Sequence, residues 1–404
     1  MRLDQEQHLQ GRKILQAHGG IKARETSNSQ GIGVDVARPI HSKPKGIVMT
    51  SFTSRTLSTL AVVGTSFLAM PLAAQEKTDF NVAWSIYVGW MPWGYAADNG
   101  IVDRWAEQYG ITINVTQFND YVESINQYTA GAYDAVTITN MDALSIPAAG
   151  GVDTTAVIVG DFSAGNDVVF LKDAESIADI AGRSVNLVEF SVSHYLLARA
   201  LDSVGLSERD VSVVNTADPD MVGAFQTTDV NALVTWNPMV SEIAALPDAV
   251  PVFDSAMIPG EIIDLMVVNT DVLADNPDFG KALAGIWYET VTLMTSDTPE
   301  GAEARAAMGA ASGTDQAGFE AQMAATQLFA DPAEAVAFTA SPDLGDTMNL
   351  VRAFLFDKGL LTPTATSDDA VGIELPDGTV LGDPDNIKFR FTTEFMQMAA
   401  DGAL

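Results

Sequence analysis

From residue 77 onward, stretches of alternating apolar and polar positions take turns with stretches of helical spacing. Phe80-Asn81-Val82-Ala83-Trp84 alternates as a half-buried strand does. Pro92 then suits a first helical turn, and Asn99-Gly100 suits a helix C-cap. Ile111 to Phe118 alternates again. Asp120-Tyr121-Val122-Glu123 has the form of a capping box and predicts a helix to about Ala130. Ala135–Thr139, Ala156–Gly160 and Asp167–Leu171 read as strands. So do Ser184–Val188, Val211–Asn215, Ala232–Thr235 and Leu265–Val268, with helices at Ser176–Ile180 and Ser193–Val204. Pro277 to Lys358 is mostly helical, and Asp377-Gly378 predicts the turn of a late hairpin.

Alternating β and α units of this kind predict open α/β sheets. Two such blocks predict two lobes, one from 75–165 and 269–404, the other from 166–268, with crossings near Gly165 and Asn269. Ligands of open α/β sheets bind outside the carboxyl ends of the strands. The loops after the strands are therefore the places to look for a site between the lobes.

Those loops share one chemistry. The first carries Tyr87, Trp90 and Trp93 with Gly89 and Pro92. The others bring Asp120, Asn140 with Asp142, Asp161, Glu189, Trp236 with Asn237, and Glu261; none holds Lys or Arg. His194 stands close to a helix start. Asp120 also reads as a plain helix cap, Trp236-Asn237-Pro238 as a plain turn, and His194 as a structural histidine. An anionic solute is better served by an arginine, although helix N-termini alone bind anions. A cation finds carboxylates and ring faces, each ring contributing roughly 0.5–2 kcal/mol when desolvated. A planar guanidinium suits both, donating in its plane and stacking out of it, and neutral urea can use the same geometry. The expected ligand-contacting set is Tyr87, Trp90, Trp93, Asp120, Asn140, Asp142, Asp161, Glu189, His194, Trp236 and Asn237, with Tyr87, Trp90, Asp142, Glu189 and Trp236 closing on the solute.

Composition narrows the classes further. The 404 residues include 53 acidic and 21 basic side chains, a formal net charge of −32, and no cysteine. That balance argues against nucleic acid and against an anionic membrane surface. Without cysteine there is no thiolate nucleophile, disulfide or Cys-based metal site. No H-x-x-H, EF-hand or P-loop pattern occurs, so no metal or cofactor is expected. Residues 1–48 are polar and basic and are expected to be an upstream extension, with Met49 the true start. Residues 49–74 combine Arg55, an apolar run from Leu57 to Ala69 and small residues to Ala74. This is the pattern of a cleaved export signal, and it predicts a periplasmic protein without a lipid anchor.

The runs Trp84-Ser85-Ile86-Tyr87-Val88-Gly89-Trp90-Met91-Pro92-Trp93-Gly94-Tyr95, Asn126-Gln127-Tyr128-Thr129-Ala130-Gly131, Thr139-Asn140-Met141-Asp142-Ala143 and Ile146-Pro147-Ala148-Ala149-Gly150-Gly151-Val152-Asp153 carry a resemblance. Over about Lys77 to Gly359 the chain resembles the periplasmic solute-binding subunits of ABC importers, of the nitrate, sulfonate, taurine and thiamine-precursor type. Within them it is most similar to the branch encoded beside urea carboxylase. The resemblance implies a two-lobed type II periplasmic binding fold that closes on its ligand, a monomer without catalysis, and a permease and an ATPase as partners. Urea carboxylases of that kind are linked to guanidine use, in agreement with the acidic, ring-bearing loops. One relative of the fold makes a pyrimidine with an iron-binding cysteine motif, which this chain cannot supply. Three readings stay open. They are capture of guanidine or urea with sulfonate or taurine as the alternative, a periplasmic enzyme using His194 or Glu189 as base, and a sensory module.

Overall fold

The computed structural model describes residues 77–362 and 364–404. The expected extension and export signal fall outside the described residues. Fourteen strands are present among the described residues, and they form two sheets.

The larger sheet has nine strands. Its centre holds β1 (Asp79–Ser85), β3 (Ala135–Thr139), β4 (Thr154–Ser163) and β10 (Ile263–Asn269), with β2 (Thr112–Phe118) beside β1 at one edge. β3 is buried along its whole length, as expected of a strand covered on both faces. β10 runs antiparallel to both β3 and β4. The far edge is completed by β11 (Thr326–Leu328), β12 (Gly372–Glu374), β13 (Val380–Leu381) and β14 (Ile387–Phe391). β12 and β13 form the predicted hairpin, with Gly378 at φ +82° in its turn.

The smaller sheet has five strands in the order β7-β6-β8-β5-β9. They are β5 (Asp167–Leu171), β6 (Ser184–Leu187), β7 (Ser212–Asn215), β8 (Ala232–Trp236) and β9 (Val250–Asp254). β5 is antiparallel to β8, whereas β6 and β8 are parallel.

The chain therefore passes between lobes at 163–167 and again at 254–263. The second crossing precedes the one expected near Asn269. The reason lies in β10, whose apolar run Ile262-Ile263 to Val268 is flanked by β3 and β4, so 263–268 belong to the first lobe. The two crossings are tied together. Ser255 Oγ lies 2.7 Å from Ser163 Oγ and accepts from the Gly165 amide at 2.7 Å. Gly165 has φ +121°, a conformation that suits only glycine.

Helices cover the first lobe. Pro277–Thr295, Pro299–Ala311, Pro332–Thr339 and Pro342–Asp357 each begin at a proline, where the missing N–H costs nothing. Thr298, Asp331 and Ser341 cap three of them by accepting from the first-turn amides. No helix among the described residues is long and apolar enough to cross a membrane.

Candidate functional site

The loop after β1 turns through a short 3-10 segment, Val88–Trp90, into the helix Met91–Asp98. The amides of Trp90 and Met91 both donate to the Tyr87 carbonyl, at 2.9 and 3.1 Å. This fixes both rings over the ends of β3 and β4. Gly89 between them cannot carry a side chain, because a Cβ would collide with Asp161 Oδ2 and the Tyr87 ring.

Tyr87, Trp90, Tyr121, Thr139, Ile262 and Asp264 meet Asp167, Val192 and Trp236 around one small cavity of about 20 Å³. Its rings form a continuous chain. Tyr87 meets Trp90 edge-on at 5.2 Å between centroids, Trp90 meets Tyr121 at 5.4 Å, and Tyr121 meets Trp236 of the other lobe at 5.8 Å. No Lys, Arg or His lines the cavity.

Its carboxyls are the unusual feature. Asp167 and Asp264 line it and Asp161 lines the cavity behind; all three are buried, and none forms an ion pair with a lysine or arginine among the described residues. Burial, with Asp161 and Asp167 nearby, pushes Asp264 well above the ordinary carboxyl range. Burial raises Asp161 to about 7 and Asp167 to about 7. Burial and then the charges of Asp161, Asp264 and Asp167 push the Tyr87 phenol upward. Tyr87 donates to Asp161 Oδ1 at 3.3 Å, and Ser163 donates to Asp167 Oδ2 at 2.5 Å. Asp161 Oδ2 receives no donor from the protein's N–H or O–H groups outside the carboxyls. Close to this group, Asp142 accepts from Tyr121 at 2.7 Å and Thr139 at 2.8 Å. Its Oδ1 has no partner, and burial lifts the group to about 6.

A second small cavity, of about 10 Å³, shares Trp90 and Asp264 with the first and adds Trp93, Asp161, Leu265, Met266 and Trp287. Trp93 stacks on Trp287 at 5.8 Å. Trp287 reaches it across Gly160, where a Cβ would stand 2.7 Å from the indole.

Of the residues expected at the site, the structure brings Tyr87, Trp90 and Trp236 to the main cavity and Trp93 and Asp161 to the one behind it. Asp142 supports Tyr121 from outside the wall. The remaining five lie elsewhere. Asp120 caps the helix Tyr121–Thr129 by accepting from the Glu123 amide. Asn140 braces the second crossing, donating to the Glu261 carbonyl and accepting from the Ile263 amide. Asn237 donates to Asn166 at 2.7 Å and accepts from Ser241. Glu189 is partly exposed beside Asn215. His194 accepts from the Phe190 amide through Nδ1 and sits 3.0 Å from Glu208 through Nε2. Glu261, another acidic loop residue, is neutralised by Arg199 at 2.8 Å. Tyr121, Thr139, Asp167, Val192, Ile262 and Asp264 are wall residues outside the expected set. An acid interrupting the apolar run Ile262 to Val268 was the available signal for Asp264.

Comparison with known proteins places this architecture. The E. coli periplasmic aliphatic sulphonate binding protein has the same fold, with a TM-score of 0.58 at 16% identity over 72% of this chain and 95% of that one. The fold is thus that of the periplasmic binding proteins. The sequence profile of the NMT1-like family matches residues 74–310, and the chain belongs to that family. A protein of Brucella abortus strain 2308, named as a binding protein without a ligand, is 26% identical over 57% of this chain and 74% of its own length. The taurine-binding periplasmic protein of E. coli K12 is 24% identical over 46% of this chain and 58% of its own.

Proposed function

We propose that the protein captures a small nitrogenous cation, guanidinium first and urea more weakly, by closing its two lobes around it, and delivers it to an ABC permease and ATPase from the periplasm. Family membership and the fold support solute binding, and the chemistry of the walls supports the choice of solute. The observation that carries it is the group Asp161, Asp167 and Asp264, buried at two adjoining cavities whose walls contain no basic side chain. Buried carboxylates without a counter-charge are costly, and a cationic ligand supplies that charge. A guanidinium would donate in its plane to the acids while its faces meet Trp90, Tyr121 or Trp236.

The names of two relatives favour a second reading, in which the solute is taurine or another sulfonate. Its sulfonate group would meet carboxyls where it needs donors, which ranks it second. The bases expected for an enzymatic reading, His194 and Glu189, do not line the cavity. Isothermal titration at neutral pH with guanidinium, urea, taurine and nitrate tests the proposal. Guanidinium is expected to bind most tightly. Taurine binding with guanidinium silent would replace the cation with a sulfonate.

A further inference from the structure

Asp161 on β4 and Asp264 on β10 stand opposite each other in register in adjacent antiparallel strands. Directly opposed side chains share a face, and like charges there repel. The two carboxyls therefore lie close together in the interior, with no lysine or arginine in the walls of either cavity. Two opposed, buried carboxyls without a counter-charge cannot both ionise, so one of them keeps a proton. Tyr87 donates to Oδ1 of Asp161, and Oδ2 has no donor among the described residues. Both acids are buried.

The surroundings cannot replace that proton. Asp167 of β5 faces the pair from the other lobe, and Asp142 lies beyond it next to Tyr121. The phenols of Tyr87 and Tyr121 are neutral donors. Neither cavity has a Lys, Arg or His in its walls. Every titratable group facing the pair is therefore an acid or a phenol, and full ionisation needs a cation from outside.

We propose that the ligand-free site stores a proton between Asp161 and Asp264, and that the solute cation enters by displacing it. The O–H bond of the shared proton breaks, the proton leaves to solvent, and the N–H groups of the solute take its place on both carboxylates. Solute and proton then compete for one position. This inference rests on the cation reading of the same cavity and adds to it a second, competing ligand.

Two measurements test it separately. Infrared spectra of the ligand-free protein at pH 7 are expected to show a protonated-carboxyl stretch that is lost when guanidinium chloride is added to saturation. Absence of that band in the ligand-free protein overturns the proposal whatever the solute turns out to be. Titration calorimetry with guanidinium chloride in buffers of differing ionisation enthalpy is expected to report release of about one proton per cation bound. Below the pair's titration, Kd should rise about tenfold for each unit by which the pH falls. The Asp264→Asn variant should bind more weakly and release fewer protons. Guanidinium binding without proton release overturns the exchange and leaves the proposed function standing. A protonated band with no response to guanidinium leaves the stored proton standing and removes both the exchange and the cation reading.

Discussion

Asp167 at the start of β5 and Trp236 at the end of β8 stand directly opposite one another in register. One carboxyl and one indole thus face the cavity side by side from the second lobe. The pairing joins charge recognition to ring contact on a single rigid sheet. Replacing Trp236 by Leu keeps an apolar wall and removes the π face. Guanidinium affinity is expected to fall by about 0.5–2 kcal/mol, up to roughly thirtyfold, in a calorimetric titration. An unchanged Kd would show that the ring only closes the wall.

The acids should trade stability against binding. Asp161→Asn removes a buried group that the ligand-free fold must keep protonated, and leaves an isosteric amide beside Tyr87 and Asp264. At pH 7 the ligand-free variant is expected to melt higher than the parent. Its guanidinium affinity should fall at least tenfold, the scale of a lost hydrogen bond to a charged group. Urea should lose less. Equal losses for urea and guanidinium in parallel titrations would contradict the cation reading.

The same acids set a pH dependence. Asp161 and Asp167 titrate near 7 in the folded protein, against about 4 for an unfolded aspartate. Between those values the folded state holds more protons than the unfolded one, so stability falls as pH rises through that window. Thermal melts of ligand-free protein from pH 4 to pH 7 should show Tm falling by several degrees from this source. Saturating guanidinium should flatten the upper part of that decline. A Tm that climbs across the window in buffers of constant ionic strength would count against these groups being protonated.

Ser255 offers a test of the crossings. Its hydroxyl meets Ser163 Oγ and the Gly165 amide in one buried cluster. Ser255→Ala leaves the Gly165 N–H without its acceptor, at a cost of about 1–3 kcal/mol. Urea denaturation should show that loss. Small-angle scattering should report a wider spread of lobe separations without solute. A variant as stable and as closed as the parent would mean that the cluster does not restrain the crossings.

Much of this architecture is legible in the residues. Phe80 to Trp84 marks β1, although that strand is buried continuously from Val82 rather than on alternate residues. Pro277, Pro299, Pro332 and Pro342 mark helix starts, and Asp377-Gly378 marks a hairpin. Looking after each strand finds Tyr87, Trp90, Asp161 and Trp236, because β1, β4 and β8 all deliver their carboxyl ends to the cavity. It misses Asp167 and Asp264 for a topological reason. β5 and β10 follow the two crossings and run against the strands beside them, so they deliver their amino ends. Strand direction is a property of pairing between distant segments, and local pattern does not carry it. The roles of Asn140, Asn237 and His194 depend on partners far away in the chain and were equally invisible.

Tyr121 and Trp236 meet across the boundary between the lobes, so the chamber has no roof of its own. Each half holds only part of the enclosure, and neither half alone shuts out solvent. On the proposed reading, water reaches the acids when the halves part and screens their attraction for a cation, so opening itself favours release.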